Sequence, residues 1–193
     1  MRICVYGAAS PTIDPKYIRK TEEMGEALAR RGHGLVFGGG ANGLMGAAAR
    51  GVRAGGGHII GVIPKFFDQD KIEAVYGVCD EIHFPDTMRE RKQIMEDFAD
   101  AFIMVPGGIG TFEEFFEILT SKQLCRHNKP IAIYDVDHYF AELLHMMKVA
   151  TEKNFIMKSV EDLYFATDDL NALFAYLETP VDTSRSVKDY KEG

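Results

Sequence analysis

Seven short apolar runs recur along the chain, at residues 2–6, 35–37, 58–63, 81–84, 101–105, 131–134 and 163–166. Most are apolar throughout rather than alternating with polar residues, which is the pattern of strands buried on both faces. Between them lie stretches with helical spacing at 15–31, 42–54, 86–97, 111–124, 138–153 and 168–177. In the first of these, Ile18, Met24 and Leu28 form an apolar stripe and Gly32 follows as a stop. Residues 65–80 mix aromatics, charges and a glycine, and read as a long loop or short helix. Strands and helices that alternate in this way build a parallel sheet covered by helices on both faces.

The expected fold is therefore α/β, a Rossmann-like doubly wound parallel sheet. The chain has 193 residues and no internal repeat or linker, so one domain over 1–180 is expected, followed by a polar, loosely held tail over 181–193. Such sheets bind ligands beyond the carboxyl ends of their strands.

Composition narrows the partners. The net charge is -7, which argues against a nucleic-acid polymer, whose phosphates attract basic surfaces. No apolar run approaches the ~20 residues that span a membrane. The chain starts with a strand-like run and no apolar signal region. Cys4, Cys79 and Cys125 are odd in number and far apart, so they read as thiols in a reducing cytosol rather than a disulfide or zinc framework. His33, His58, His83, His127, His138 and His145 show no ligand spacing. A cytoplasmic protein is expected, with no metal, no cofactor and no membrane partner.

Two strands run into glycine-rich turns that open helices. Gly38-x-Gly40-x-x-Gly43 has the form of a dinucleotide fingerprint. It follows the second strand, however, and the acidic residue expected about 20 positions later is missing, since no Asp or Glu lies between Glu26 and Asp68. A nicotinamide site is disfavoured; a monophosphate or nucleotide site and a ligand-free turn both stay open. Pro106-Gly107-Gly108-Ile109-Gly110-Thr111 is more specific. Glycines let backbone N–H groups converge on an anion, and the helix start adds donors and a positive dipole end. No lysine follows, so the turn suits a monophosphate better than the polyphosphate of a Walker loop.

Glu114 has two readings. Thr111-x-x-Glu114 has the spacing of a capping box; alternatively, a carboxylate near a phosphate turn faces substrate. Glu113 and Glu117 share its helix. Upstream, Arg89, Arg91 and Lys92 cluster at the start of another helix. They form either a solvated face or, set against the helix dipole, the partner of a bound anion.

These residues carry a resemblance. Pro106, Gly107, Gly108, Gly110, Thr111 and Glu114 match the motif Pro-Gly-Gly-x-Gly-Thr-x-x-Glu. Met88, Arg91 and Lys92 match its companion, Met-x-x-Arg-Lys. Gly38 to Gly46 and Ile60-Gly61-Val62-Ile63-Pro64 also have the family's form. The chain resembles the LOG (Lonely Guy) family, the cytokinin riboside 5′-monophosphate phosphoribohydrolases often labelled lysine decarboxylases.

The resemblance implies hydrolysis of the N-glycosidic bond of an (N6-substituted) adenosine 5′-monophosphate to free base and ribose 5-phosphate. It implies Arg91 and Glu114 as catalytic residues. Glu73, Lys92, Gly107, Gly108, Ile109, Gly110, Thr111 and Thr120 are implied as substrate-binding. Ser10, Gly39, Gly40, Gly43 and Met88 are further candidate nucleotide contacts. It implies a homodimer, which suits a helix that carries Phe112, Phe115, Phe116, Ile118 and Leu119 on two faces. The family's Thr-Trp-x-Gln-Leu-Gly reads Thr120-Ser121-Lys122-Gln123-Leu124-Cys125 here, and its Gly-Ser-Ser turn reads Ala8-Ala9-Ser10. Those departures fall where the base or a subunit contact is expected. The competing class is a non-catalytic nucleotide or cofactor carrier of the same fold. A pyridoxal phosphate decarboxylase has no supporting constellation.

Overall fold

Strand β1 (Arg2–Tyr6) sits at the centre because its neighbours flank it on both sides. It pairs in parallel with β2 (Gly34–Phe37) and β5 (Ala101–Met104), so that Val5 lies opposite both Phe37 and Ile103. The sheet continues outward through β3 (Ile59–Val62) and β4 (Glu81–His83) on one side, and through β6 (Ile131–Tyr134) and β7 (Phe165–Thr167) on the other. The order is β4-β3-β2-β1-β5-β6-β7, all parallel. The computed structural model describes residues 1–69, 74–181 and 186–191. The chain winds outward from β1 to β4, then crosses to β5 and winds outward the other way. That reversal leaves a crevice at the carboxyl ends of β1 and β5, the topological switch point of a doubly wound sheet.

Alternate strand residues face opposite sides. Ile3 and Val5 join Leu35, Phe37 and Ile59 beneath α1 (Pro15–Arg30), α2 (Gly43–Ala54) and α7 (Leu170–Glu178). Cys4 and Tyr6 join Val36, Ile60 and Phe102 beneath α4 (Met88–Phe98), α5 (Ile109–Gln123) and α6 (Ala141–Glu152). The expected doubly wound fold is thus observed. No helix among the described residues is long and apolar enough to cross a membrane.

Element boundaries differ where caps decide them. Residues 65–80 hold the short helix α3 (Lys65–Gln69). Thr87 caps α4, so that helix starts two residues later than its spacing suggests. The helix expected from residue 138 starts at Ala141, because a tight turn at Val136–His138 precedes it. The polar tail is not loosely held throughout: α8 (Lys188–Lys191) docks, with Tyr190 6% exposed and its carbonyl accepting from the Gln123 side chain at 3.1 Å. One aromatic in a polar segment explains the difference, since burying it contributes roughly 1.5–3 kcal/mol.

The small residues of α2 place it backbone to backbone against α1. A Cβ at Gly51 would lie 2.0 Å from the Glu22 carbonyl oxygen, and one at Gly25 would lie 2.4 Å from that of Ala48. Alanine gains about 1 kcal/mol of helix propensity over glycine, but here the obstacle is backbone, which does not swing aside. Gly51→Ala is expected to lower stability by about 2 kcal/mol through overpacking, read as a lower midpoint in urea. A midpoint equal to or above that of the parent would show that the two helices separate freely.

Candidate active site

A cavity of about 380 Å³ fills the crevice at the switch point. Its walls come from the turn after β1 (Tyr6 to Ser10), the turn after β2 (Gly38, Gly40), Phe67 of α3, Arg91 and Met95 of α4, and Gly108, Gly110, Thr111 and Glu114 of α5. Two helices aim their N-termini at this region, and they differ in what their amides do. At α2, the N–H groups of Leu44 and Met45 both donate to the Ala8 carbonyl, at 2.8 and 3.4 Å. Two of that terminus's first three amides are thus satisfied from within the chain, and only the Gly43 N–H meets no acceptor among the described residues. At α5, Gly108 is the N-cap and supplies no side chain. The amides of Ile109, Gly110 and Thr111 meet no acceptor among the described residues. Unpaired donors at a helix start form an anion site, so of the two glycine turns it is the second that is open to one.

The first glycine turn has a different task. Arg91 Nη2 donates to the Gly38 carbonyl at 3.4 Å, and a Cβ on Gly38 would lie 1.8 Å from that nitrogen. Gly38 is the slot through which the guanidinium enters. Gly39 packs on Ile63 and Gly43 on the Ala8 carbonyl, both with positive φ. They shape the turn and do not line the cavity.

Arg91 is held on one side by the Phe67 ring, 5.4 Å from its Cζ, and by the Met88 sulfur, 3.8 Å from Nη1. Its Nε is buried and has no partner among the described residues. A guanidinium with an unused buried donor leaves hydrogen-bonding capacity for a ligand.

Glu114 lies one turn into α5. The capping-box reading fails, because the helix starts at Ile109 and Thr111 is already inside it. The glycine before the helix takes the N-cap, which moves Thr111 from cap to third helical residue. Thr111 instead packs its side chain onto Gly107, where a Cβ would lie 2.1 Å from Oγ1. A true capping box exists on α4, where Thr87 Oγ1 accepts from the Glu90 N–H at 3.2 Å and the Glu90 carboxylate accepts from the Thr87 N–H at 3.3 Å. Glu114 accepts no hydrogen bond from a described residue. Burial pushes its carboxyl up to about 7; Arg91 opposes that rise, and Glu113 adds to it. Beneath it Tyr6 is buried and stacked on Phe102, with ring centroids 6.0 Å apart. Burial, with Cys4 and Glu114 nearby, holds the Tyr6 phenol protonated well above its ordinary range.

The remaining predicted residues are placed as follows. Ser10, Gly40, Gly108, Gly110 and Thr111 line the cavity. Gly107 and Ile109 belong to the same turn, with Ile109 exposed. Lys92 turns away from the cavity and bridges α4 to α5, with Nζ 2.5 Å from Glu113 and 2.6 Å from Glu117. Burial lowers its ammonium pKa, but the two carboxylates outweigh that and hold it above the ordinary value. The cation cluster is therefore answered within the chain at Lys92 and left for a ligand at Arg91. Thr120 is exposed on α5, outside the cavity. Glu73 lies outside the described residues. Sequence reasoning did not single out Tyr6, Met45, Phe67 or Met95 as wall residues. Strand order was the missing signal: once β1 borders β5, the end of β1 must face the site.

The carboxyl pKa sets a stability dependence. The unfolded chain releases this proton near 4.5, the folded chain near 7. Stability from the neutral form is full below 4.5 and is lost as pH rises through 7. Glu114→Gln, always neutral, is expected to exceed the parent in unfolding free energy at pH 8 by about 3 kcal/mol, with the gap narrowing to under about 1 kcal/mol by pH 5. A gap that does not change with pH in urea titrations would mean that Glu114 is not held in a charge-disfavouring wall.

Known proteins share this frame. Residues 45–177 match the family model described as "Possible lysine decarboxylase". Over 178 residues the chain is 36% identical to the cytokinin riboside 5′-monophosphate phosphoribohydrolase of Rhodococcoides fascians, covering 92% of this chain and 89% of that protein. It is 37% identical over 177 residues to the enzyme LOG of Oryza sativa subsp. japonica, covering 92% and 72%. Among solved structures, the molybdenum cofactor binding protein from Rippkaea orientalis has the same fold, with a TM-score of 0.66 at 19% identity over 90% of this chain and 93% of that one. Sequence match, motif and fold agree: the chain belongs to the LOG family of cytokinin riboside 5′-monophosphate phosphoribohydrolases.

Proposed function

We propose that this protein hydrolyses the N-glycosidic bond of an (N6-substituted) adenosine 5′-monophosphate, releasing the free base and ribose 5-phosphate. The observation that carries this reading is Glu114: a carboxyl in a cavity wall, one turn from an open helix N-terminus and sharing the cavity with Arg91. The 5′-phosphate sits on the amides of Gly108, Gly110 and Thr111. That contact fixes the ribose beside Glu114, so that binding energy away from the reacting bond serves orientation. As the C1′–N bond breaks, its electron pair leaves with the base, and the ribose becomes oxocarbenium-like. The Glu114 carboxylate stabilises that charge and takes a proton from the water whose oxygen bonds to C1′, while the departing base takes a proton from solvent, so that water is divided between the two products. Arg91, with its unpaired Nε, meets the electron-rich base as it departs. No step calls for a metal or cofactor.

Thr120 supports a homodimer. The family resemblance implies that it touches substrate, yet it lies outside the switch-point cavity and lines a separate hollow with Phe116 and Phe155. Around it the α5–α6 side exposes Phe116, Met146 and Phe155, the last 83% exposed. A second copy packed there buries these residues and brings a Thr120 toward a neighbouring site. A cytoplasmic setting is supported by the absence of any disulfide among the three cysteines.

Two measurements test the reading. Incubation with AMP and with N6-isopentenyl-AMP is expected to release free base, detected by chromatography. A nucleotide recovered unchanged from folded protein would instead favour a carrier. Glu114→Gln is expected to keep nucleotide binding and lose at least 10²-fold in kcat. In the parent, kcat/KM should rise with pH through about 7, as the carboxylate forms.

A further inference from the structure

The turn after β6 contains an outlier that the reading above does not use. Asp137 and His138 lie in succession at φ 57 and φ 54, the left-handed region that residues with side chains rarely enter. Backbone held in such a region persists only where its surroundings over-determine it, and it clusters at functional sites. Here the surroundings are specific. The buried Asp135 carboxylate accepts the Phe140 N–H at 2.8 Å. The Lys16 ammonium donates to the Asp137 carboxylate. Tyr139, the next residue, stands edge-on to Tyr17 at 6.0 Å and to Phe140 at 4.9 Å.

What this arrangement delivers is one hydroxyl. Tyr139 Oη donates to the Gly107 carbonyl at 2.7 Å. In a trans peptide the C=O and the following N–H point in opposite directions, and the described chain has no cis bond. Holding the Gly107 oxygen toward Tyr139 therefore turns the Gly108 N–H the other way, toward the cavity that Gly108 lines. That N–H has no acceptor among the described residues. A peptide between two glycines is otherwise free to rotate, because neither residue carries a Cβ to resist it. Rotated, it would present a carbonyl oxygen to the anion in place of a donor.

The geometry points to Tyr139 as a positioning residue that fixes the Gly107–Gly108 peptide in its phosphate-binding orientation. This deepens the nucleotide reading and rests on it. Tyr139 touches neither the sugar nor the base; it acts through one peptide unit.

Tyr139→Phe removes the hydroxyl and keeps the ring contacts. It is expected to melt within a few degrees of the parent and to bind ribose 5-phosphate about tenfold more weakly by calorimetry, the loss of roughly one hydrogen bond. KM for AMP should rise about tenfold with kcat within twofold, and affinity for adenosine, which has no phosphate, should not change. Equal losses for AMP and adenosine, or unchanged ribose 5-phosphate affinity, would overturn the assignment. If the parent binds ribose 5-phosphate, the variant binds it weakly and neither releases base, the hydrolase reading fails and this assignment stands. If the parent releases base and the variant keeps the parent's KM, the assignment fails and the hydrolase reading stands.

Discussion

The unpaired amides at the start of α5 are the interaction on which the rest of the site depends. Both helices that follow glycine turns could offer such donors, yet α2 spends two of its own on the Ala8 carbonyl. That internal bond ties the β1 turn to the β2 turn and leaves α5 as the open terminus. The position of α5 follows from topology, since β5 is the strand placed next to β1 when the winding reverses. The anion site, the carboxyl one turn above it and the cation across from it are thus consequences of strand order acting on two short motifs.

Electrostatics then separates residues that look alike in sequence. Three acids share α5, but Glu113 and Glu117 are engaged by Lys92 while Glu114 is left in the cavity wall. Two cations sit side by side on α4. One neutralises those acids; the other enters the cavity through the gap at Gly38. The ion pairs at Lys92 clamp the helix that carries Arg91 to the helix that carries Glu114. Their strength as surface pairs is modest; their effect is to fix a distance and to keep the acid ridge from repelling an anionic ligand.

The strand-and-helix alternation was readable because buried parallel strands leave continuous apolar runs, and residues 101–105 and 131–134 show this plainly. The turn after β5 was readable as a candidate anion site because glycines ahead of a helix leave its first amides uncovered. Two things were hidden. The helix start at Ile109, two residues before Thr111, overturned the capping reading, and nothing in a local pattern distinguishes a glycine N-cap from a threonine one here. The partners of Lys92 and the plugging of α2 by Ala8 are contacts between segments 21 and more residues apart, set by tertiary packing alone. The family resemblance supplied residue roles that periodicity could not, yet it did not reveal that Thr120 lies outside the switch-point cavity.

The gap at Gly38 has a consequence for substitution. The atom that a methyl group there would strike is the tip of a long, flexible side chain rather than backbone. An alanine at 38 would leave the core, the sheet and the anion-binding turn untouched and simply displace the guanidinium. On the reading proposed above, a single methyl group would take the cation out of the cavity while leaving the anion-binding turn in place. Positions 38 and 91 are thus coupled: the glycine accepts from the guanidinium and leaves the space that it fills.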